Sequence, residues 1–259
     1  MDRPVSSGTS MPAESNESGS EELTADTFFS GGVCLRQQRR GYRFSMDAVI
    51  LSGSLHPRPG ETIVDLGTGC GIIPILLAFR RPEVRIWGVE VQETLAGLAS
   101  ANVRANGMEP RVNVLRADLR DVSAETFGGP VDWAVSNPPY RRSQSGRVNP
   151  NTERALARHE IAMTLPDLIG AARRVLKTGG RFAAIYAAER AAELLSQMRL
   201  EHIEPKCLRG IHSDRGSNAR LILVEGIKNG RPGVVLPPPL IIYDENGDYS
   251  KEIRSLISP

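Results

Sequence analysis

Cysteine is scarce in this 259-residue chain: Cys34, Cys70 and Cys207 stand apart, form no C-x-x-C pair and leave an odd thiol. That pattern excludes a disulfide scaffold, suits a reducing compartment and argues against a zinc site, so no metal is expected. No run of about 18 apolar residues is present, which leaves a membrane-spanning helix without support. The amino terminus lacks the basic-then-apolar order of a secretory signal, and the cytoplasm is the expected location. What is present is ordinary for a folded enzyme. Hydrophobic residues make up 40% and charged residues 24%, in a chain long enough for one large domain, or a domain plus a tail.

Charge is unevenly spread. Residues 1–26 hold six acids against Arg3 alone, so the net charge of +2 combines a −5 leader with a +7 remainder. The leader is rich in Ser, Glu, Gly and Pro and has almost no apolar content, so ordering it would bury too little to offset the lost chain entropy. It reads as a disordered acidic tail, with one domain expected over residues 27–259. The basic residues are nearly all arginine and fall in two clusters: Arg36, Arg39, Arg40 and Arg43, then Arg141, Arg142, Arg147, Arg154 and Arg158. Either cluster suits the phosphate oxygens of a nucleic acid; the plain alternative is a solvated arginine face.

From Thr27 onward, apolar runs alternate with helical patterns. Residues 62–66, 84–90, 112–115, 131–136, 182–186 and 221–224 read as short buried strands. Helical periodicity marks 72–80, 92–105, 166–176 and 188–200. Such alternation predicts an α/β fold with a mostly parallel twisted sheet and helices on both faces. Gly179 and Gly180 read as a helix stop before the next strand. The last strands lack long helical crossovers between them, so antiparallel pairing is expected to end the sheet.

After the first of these strands comes Asp65-Leu66-Gly67-Thr68-Gly69-Cys70-Gly71, and then a helix. In an open α/β sheet this is the carboxyl end of a strand, where ligands bind, and glycines there permit a tight turn and close backbone approach. The nicotinamide-type fingerprint is G-x-G-x-x-G; here the third glycine comes one position early and an acid stands two residues before the first. That spacing resembles the S-adenosylmethionine loop of class I methyltransferases. Glu90 ends the second strand, 19 residues after Gly71, where a carboxylate can accept from both ribose hydroxyls of an adenosine-containing cofactor. Asp118 at the next strand end could accept from the adenine amine and Leu119 could pack on the ring; by itself Asp118 is more often a helix cap, and its support comes from order along the chain.

Asn137-Pro138-Pro139-Tyr140 follows the fourth strand, above the same crevice. A proline pair lacks backbone N–H groups and ends the strand stiffly, which frees the Pro138 carbonyl from sheet pairing. The Asn137 side-chain oxygen and the Pro138 carbonyl are then two aimed acceptors. Two such acceptors suit a planar NH₂ group, as in the exocyclic amine of adenine or the amide of glutamine. Hydrogen bonds to both N–H groups favour a pyramidal nitrogen with its lone pair turned toward an electrophilic methyl group, so positioning and electrostatics supply most of the acceleration. Tyr140 offers a ring on which a base can stack.

At this point the chain resembles the class I amino-methyltransferases that carry an N-P-P-Y motif. Within that group Gly41 to Leu51, and the late segments Arg220 to Lys228 and Pro239 to Tyr243, look like the flanks found in bacterial tRNA adenine-N6 methyltransferases acting on valine tRNA beside the anticodon. The resemblance covers residues 30–225 and implies a Rossmann-like fold with S-adenosyl-L-methionine as cofactor. Carried over by position, Asp65, Gly67, Gly69, Gly71, Glu90, Asp118, Leu119 and Asn137 would bind the cofactor. Phe44, Ser45 and Asp47 would close over its methionine end, or Ser45 would cap a helix with Ala48, Val49 and Leu51 as core. Asn137, Pro138 and Tyr140 would hold the target amine. RNA, most of all tRNA, is the implied partner, met by Arg36, Arg39, Arg40, Arg141, Arg142 and Arg147. His159 is read as a solvent or helix-cap residue, because this chemistry needs no strong base.

Three other classes stay open on the residues alone, one of them a DNA adenine methyltransferase, which would usually need an added recognition domain. A protein glutamine methyltransferase would use the same acceptors, although the chain before the glycine loop is short for a separate helical substrate domain. A non-catalytic nucleotide-binding module would need the loop and Glu90 only, and leaves Asn137 and Tyr140 without a purpose.

Overall fold

The computed structural model describes residues 23–38, 46–138 and 163–257. Several residues singled out above lie outside these: Arg39, Arg40, Arg43, Phe44, Ser45, Tyr140, Arg141, Arg142, Arg147, Arg154, Arg158 and His159.

Among the described residues, eight strands form one sheet. In chain order they are β3 (Thr62–Leu66), β4 (Arg85–Glu90), β5 (Val112–Arg116), β6 (Val131–Ser136), β7 (Leu176–Ala187), β8 (Ile203–His212), β9 (Ala219–Lys228) and β10 (Leu240–Ile241). Their spatial order is β10-β8-β9-β7-β6-β3-β4-β5. The run from β7 to β5 is parallel, β9 pairs antiparallel with both β7 and β8, and β10 adds a parallel edge to β8. The Rossmann-like reading with an antiparallel end therefore holds.

Side chains along the inner strands alternate between two cores, as a sheet covered on both faces requires. Ile63, Ile86, Trp133, Val135, Ala183 and Ile185 enter one core. Val64, Val89, Ala134, Phe182, Ala184 and Tyr186 enter the other. The first face is covered by α1 (Met46–Ser54), α2 (Ile72–Arg80), α3 (Glu93–Ala105) and α6 (Lys251–Ile257). The second is covered by α4 (Leu165–Val175) and α5 (Ala191–Leu200). Thr164 and Asp167 form a capping box that starts α4, with Pro166 in its first turn.

Gly179 and Gly180 do not stop a helix. The helix already ends at Val175, and β7 begins at Leu176. Between Leu176, opposite Val131, and Arg181, opposite Trp133, the register jumps, and Gly179 takes φ +78° within this irregularity. The glycines thus serve a bulge inside the strand, a role that also favours residues free of a Cβ.

Regular structure is found before the boundary expected at Thr27. Strand β1 (Leu23–Phe28) pairs antiparallel with β2 (Val33–Gln38), so Leu23 to Asp26, read above as tail, belong to a hairpin. Apolar content alone missed it because main-chain pairing holds β1, and the carboxylate of Asp26 accepts from the buried Gln37 amide. Val33 and Leu35 on β2 are fully buried against α2 and α3, which makes the hairpin part of the first core.

Candidate active site

The chain leaves β3 toward β4 on one side and returns at β6 on the other, so the sheet's order reverses beside β3. A crevice opens above the carboxyl ends of strands at such a point. Its rim is stitched strand to strand. The Gly67 and Thr68 N–H groups both donate to the Val89 carbonyl at 2.9 Å, Ala117 N–H donates to the Glu90 carbonyl at 3.1 Å, and Ser136 Oγ donates to the Leu66 carbonyl at 2.7 Å.

All three loop glycines have left-handed φ: +81° at Gly67, +58° at Gly69 and +85° at Gly71. An L side chain is strained at each. Gly71 is doubly constrained, because a Cβ there would lie 3.2 Å from Ala99 Cβ and 3.3 Å from its Cα on α3. Gly71→Ala is therefore expected to lower stability by about 2 kcal/mol and to weaken cofactor binding. A thermal melt paired with ligand titration checks it, and unchanged values in both would remove this role.

Glu90, 3% exposed, is already oriented: Oε2 accepts from Gly69 N–H and Oε1 from Gln92 N–H, each at 2.9 Å. Each carboxylate oxygen keeps a further lone pair for an incoming hydroxyl. Asp65 is fully buried, and neither of its oxygens has a hydrogen-bond partner. Burial pushes its carboxyl up to about 7, the nearby Thr68 hydroxyl draws it down, and the Glu90 charge pushes it up. The Thr68 hydroxyl is buried and lies outside hydrogen-bond geometry, as is Asn137 Oδ1 at the end of β6. Buried polar groups are seldom left unpaired, and these belong to β3, the loop after it and the end of the adjacent strand β6, where a polar ligand would meet them.

Sequence reasoning passed over several contributors. Thr68 stands at a variable position of the loop pattern. Gly88 leaves room for it, since a Cβ there would meet the Thr68 side chain at 2.9 Å. Ser136 precedes the tetrapeptide and locks β6 to β3. None carries a spacing signal of its own.

Asp118 and Leu119 already have partners within the fold. Asp118 is held by Arg120, whose N–H and Nε each donate to Oδ1 at 2.9 Å and whose Nη2 donates to Oδ2. Those bonds hold its carboxyl below the usual range, so its free capacity is smaller than the adenine-amine reading assumes. Leu119 is buried within the second core. Asp47 lies in the first turn of α1, where Ala48, Val49 and Leu51 are buried, as the helix alternative requires. Asn137 and Pro138 are both buried. Among the described residues no group of three His, Cys, Asp or Glu side chains could hold a metal ion, and no helix is long and apolar enough to cross a membrane.

Comparison with known proteins decides the family. The model of the methyltransferase small domain matches residues 46–204. The chain belongs to the methyltransferase small domain family. A tRNA1(Val) (adenine(37)-N6)-methyltransferase of Porphyromonas gingivalis is 33% identical over 184 residues, 63% of this chain and 71% of that one. One of the same name from Tolumonas auensis is 27% identical over 85% of this chain and 90% of its own. Among solved structures, a predicted O-methyltransferase of Agrobacterium tumefaciens superposes with a TM-score of 0.67 at 22% identity, over 81% of this chain and 94% of that one. A geranyl diphosphate C-methyltransferase of Streptomyces coelicolor, crystallised with S-adenosyl-L-homocysteine, gives 0.51 at 16% identity, over 70% and 76%. These structures share the fold. S-adenosylmethionine is the cofactor that membership in this family implies, and the unpartnered polar groups of the crevice fit a cationic, hydroxyl-rich ligand.

Proposed function

We propose that this methyltransferase methylates the exocyclic N6 of an adenine in tRNA, in the cytoplasm, with the chain from the hairpin onward acting as one catalytic domain. The observation that carries the reading is Asn137 Oδ1: a buried acceptor without a partner, at the strand end next to the cofactor crevice. Relatives at 27–33% identity bear the name of that activity.

When bound, S-adenosylmethionine supplies an electrophilic methyl group on a sulfonium. Asp65 would receive the ammonium end and Glu90 the ribose hydroxyls, and the left-handed loop from Gly67 to Gly71 would let the main chain lie close. Phe44, Ser45 and Asp47 would cover the methionine end, Asp47 from the first turn of α1. The target adenine leaves its stack and enters the crevice. Tyr140 stacks on it, and its amine donates to Asn137 Oδ1 and the Pro138 carbonyl. Both acceptors strengthen their hold as positive charge grows on nitrogen, which is where catalysis gains. The methylated nitrogen is acidic until it sheds its proton, so no strong base is needed. Arg36, exposed on β2, would hold phosphates together with Arg39, Arg40, Arg141, Arg142 and Arg147.

The test is transfer of labelled methyl to unmodified total tRNA, rRNA and protein fractions in parallel. Label is expected in tRNA and, after digestion, as N6-methyladenosine. Label in protein alone would replace this reading with glutamine methylation.

A further inference from the structure

Asn102 on α3 and Asn106, which caps the carboxyl end of that helix, grip the β1–β2 hairpin by its main chain. Asn106 Oδ1 accepts from Cys34 N–H at 2.9 Å, and its Nδ2 donates to the Cys34 carbonyl at 2.7 Å. Asn102 repeats the arrangement with Arg36, at 2.9 and 2.8 Å. The spacing explains why it works. Four residues of helix rise about 6 Å, and two residues of strand advance about 6.6 Å. The helix thus offers β2 a substitute for a neighbouring strand.

The two amides differ in their second N–H. Asn106 spends it inside its own helix, on the Asn102 carbonyl at 2.8 Å. Asn102 donates it to the Cys70 carbonyl at 2.9 Å, within the glycine loop. Asn102 is fully buried, so no water competes for these bonds. The neighbouring Gly69 N–H is the one that orients Glu90. One side chain therefore joins the cofactor loop to a hairpin that lies outside residues 46–204, the span matched by the family model.

We propose that Asn102 is a positioning residue that couples the hairpin to the cofactor loop, so that docking of β2 and binding of the cofactor reinforce each other. The proposal rests on the reading of the crevice as the S-adenosylmethionine site. Fixing the Cys70 carbonyl restrains the turn that aims Gly69 N–H at Glu90. In the reverse direction, a cofactor that orders the loop holds the Asn102 amide in the orientation β2 requires. Such coupling is reciprocal by linkage.

Asn106 is the built-in control, because it grips the same hairpin without touching the loop. Calorimetry with S-adenosylhomocysteine is run on the wild type, Asn102→Ala and Asn106→Ala, with amide hydrogen exchange on each protein, free and saturated. Asn102→Ala is expected to raise Kd about tenfold and to speed exchange across Gly67 to Gly71, with neither change in Asn106→Ala. In the wild type, saturation is expected to slow exchange of the Arg36 amide, a readout that decides the matter alone should Asn102→Ala fail to fold. Equal Kd shifts in the two variants, or an Arg36 amide indifferent to saturation, overturn the proposal while leaving the cofactor reading intact. A wild type that binds no S-adenosylhomocysteine overturns that reading, and the proposal with it.

Discussion

Asn137→Ala is expected to lower the rate of methyl transfer in a single turnover by about 10²–10³ while leaving cofactor affinity nearly unchanged. The side-chain oxygen is placed where a nitrogen gains positive charge during the reaction, and such preorganised partners act mainly in the transition state. Stability gives the discriminating sign. In the free protein this oxygen is buried and unpaired, a condition that costs free energy rather than supplying it. Removing it should therefore leave the melting temperature unchanged or slightly raised. A residue held for packing or for fixing the β6 end would show the opposite, with a lowered melting temperature and activity falling only in proportion to the folded fraction. Wild-type turnover in the variant would remove the proposed role outright.

Much of this arrangement could be read before any coordinates. β3, α2 and β6 begin and end where the sequence pattern places them, at Thr62–Leu66, Ile72–Arg80 and Val131–Ser136. Each is buried almost throughout and bounded by glycine, serine or proline turns, so its signal is local. The glycine loop was legible for the same reason: left-handed φ at Gly67, Gly69 and Gly71 demands a residue type that shows in the sequence. What stayed hidden depends on partners far along the chain. β8 contains Pro205 and Gly210 and is mostly half-buried, so it carries no apolar run; its existence follows from pairing with β9. The hairpin is polar, and its docking uses side-chain amides 66 and 72 residues away. Nothing in Asn102 or Asn106 as letters separates them from surface asparagines. Asp118 illustrates the converse, because its position along the chain invited a ligand while a neighbour two residues on, Arg120, already engages it.

Asp65 makes the second large prediction, and it concerns pH. The ordinary value of 3.8 is pushed up to about 7 in the folded protein, chiefly by burial. The unfolded chain ionises this carboxyl above pH 4, whereas the folded chain keeps its proton until neutrality. Across that window the folded state binds more protons, so stability falls as pH rises, and the loss is complete above 7. Three units at about 1.4 kcal/mol each put the whole effect near 4 kcal/mol. Asp65→Asn keeps the shape and carries no charge at any pH. The melting temperature of the ligand-free wild type should therefore drop between pH 5 and 8 by several degrees more than that of the variant. Binding runs the other way. A cationic ligand end seated against Asp65 favours the ionised form, so wild-type affinity for S-adenosylhomocysteine should climb from pH 5 to 7 and then level, with proton release during binding at the lower pH. In Asp65→Asn the affinity should be weaker and flat. Parallel pH profiles for wild type and variant, in both melting and binding, would show that this carboxylate neither destabilises the empty crevice nor meets the charge of what fills it.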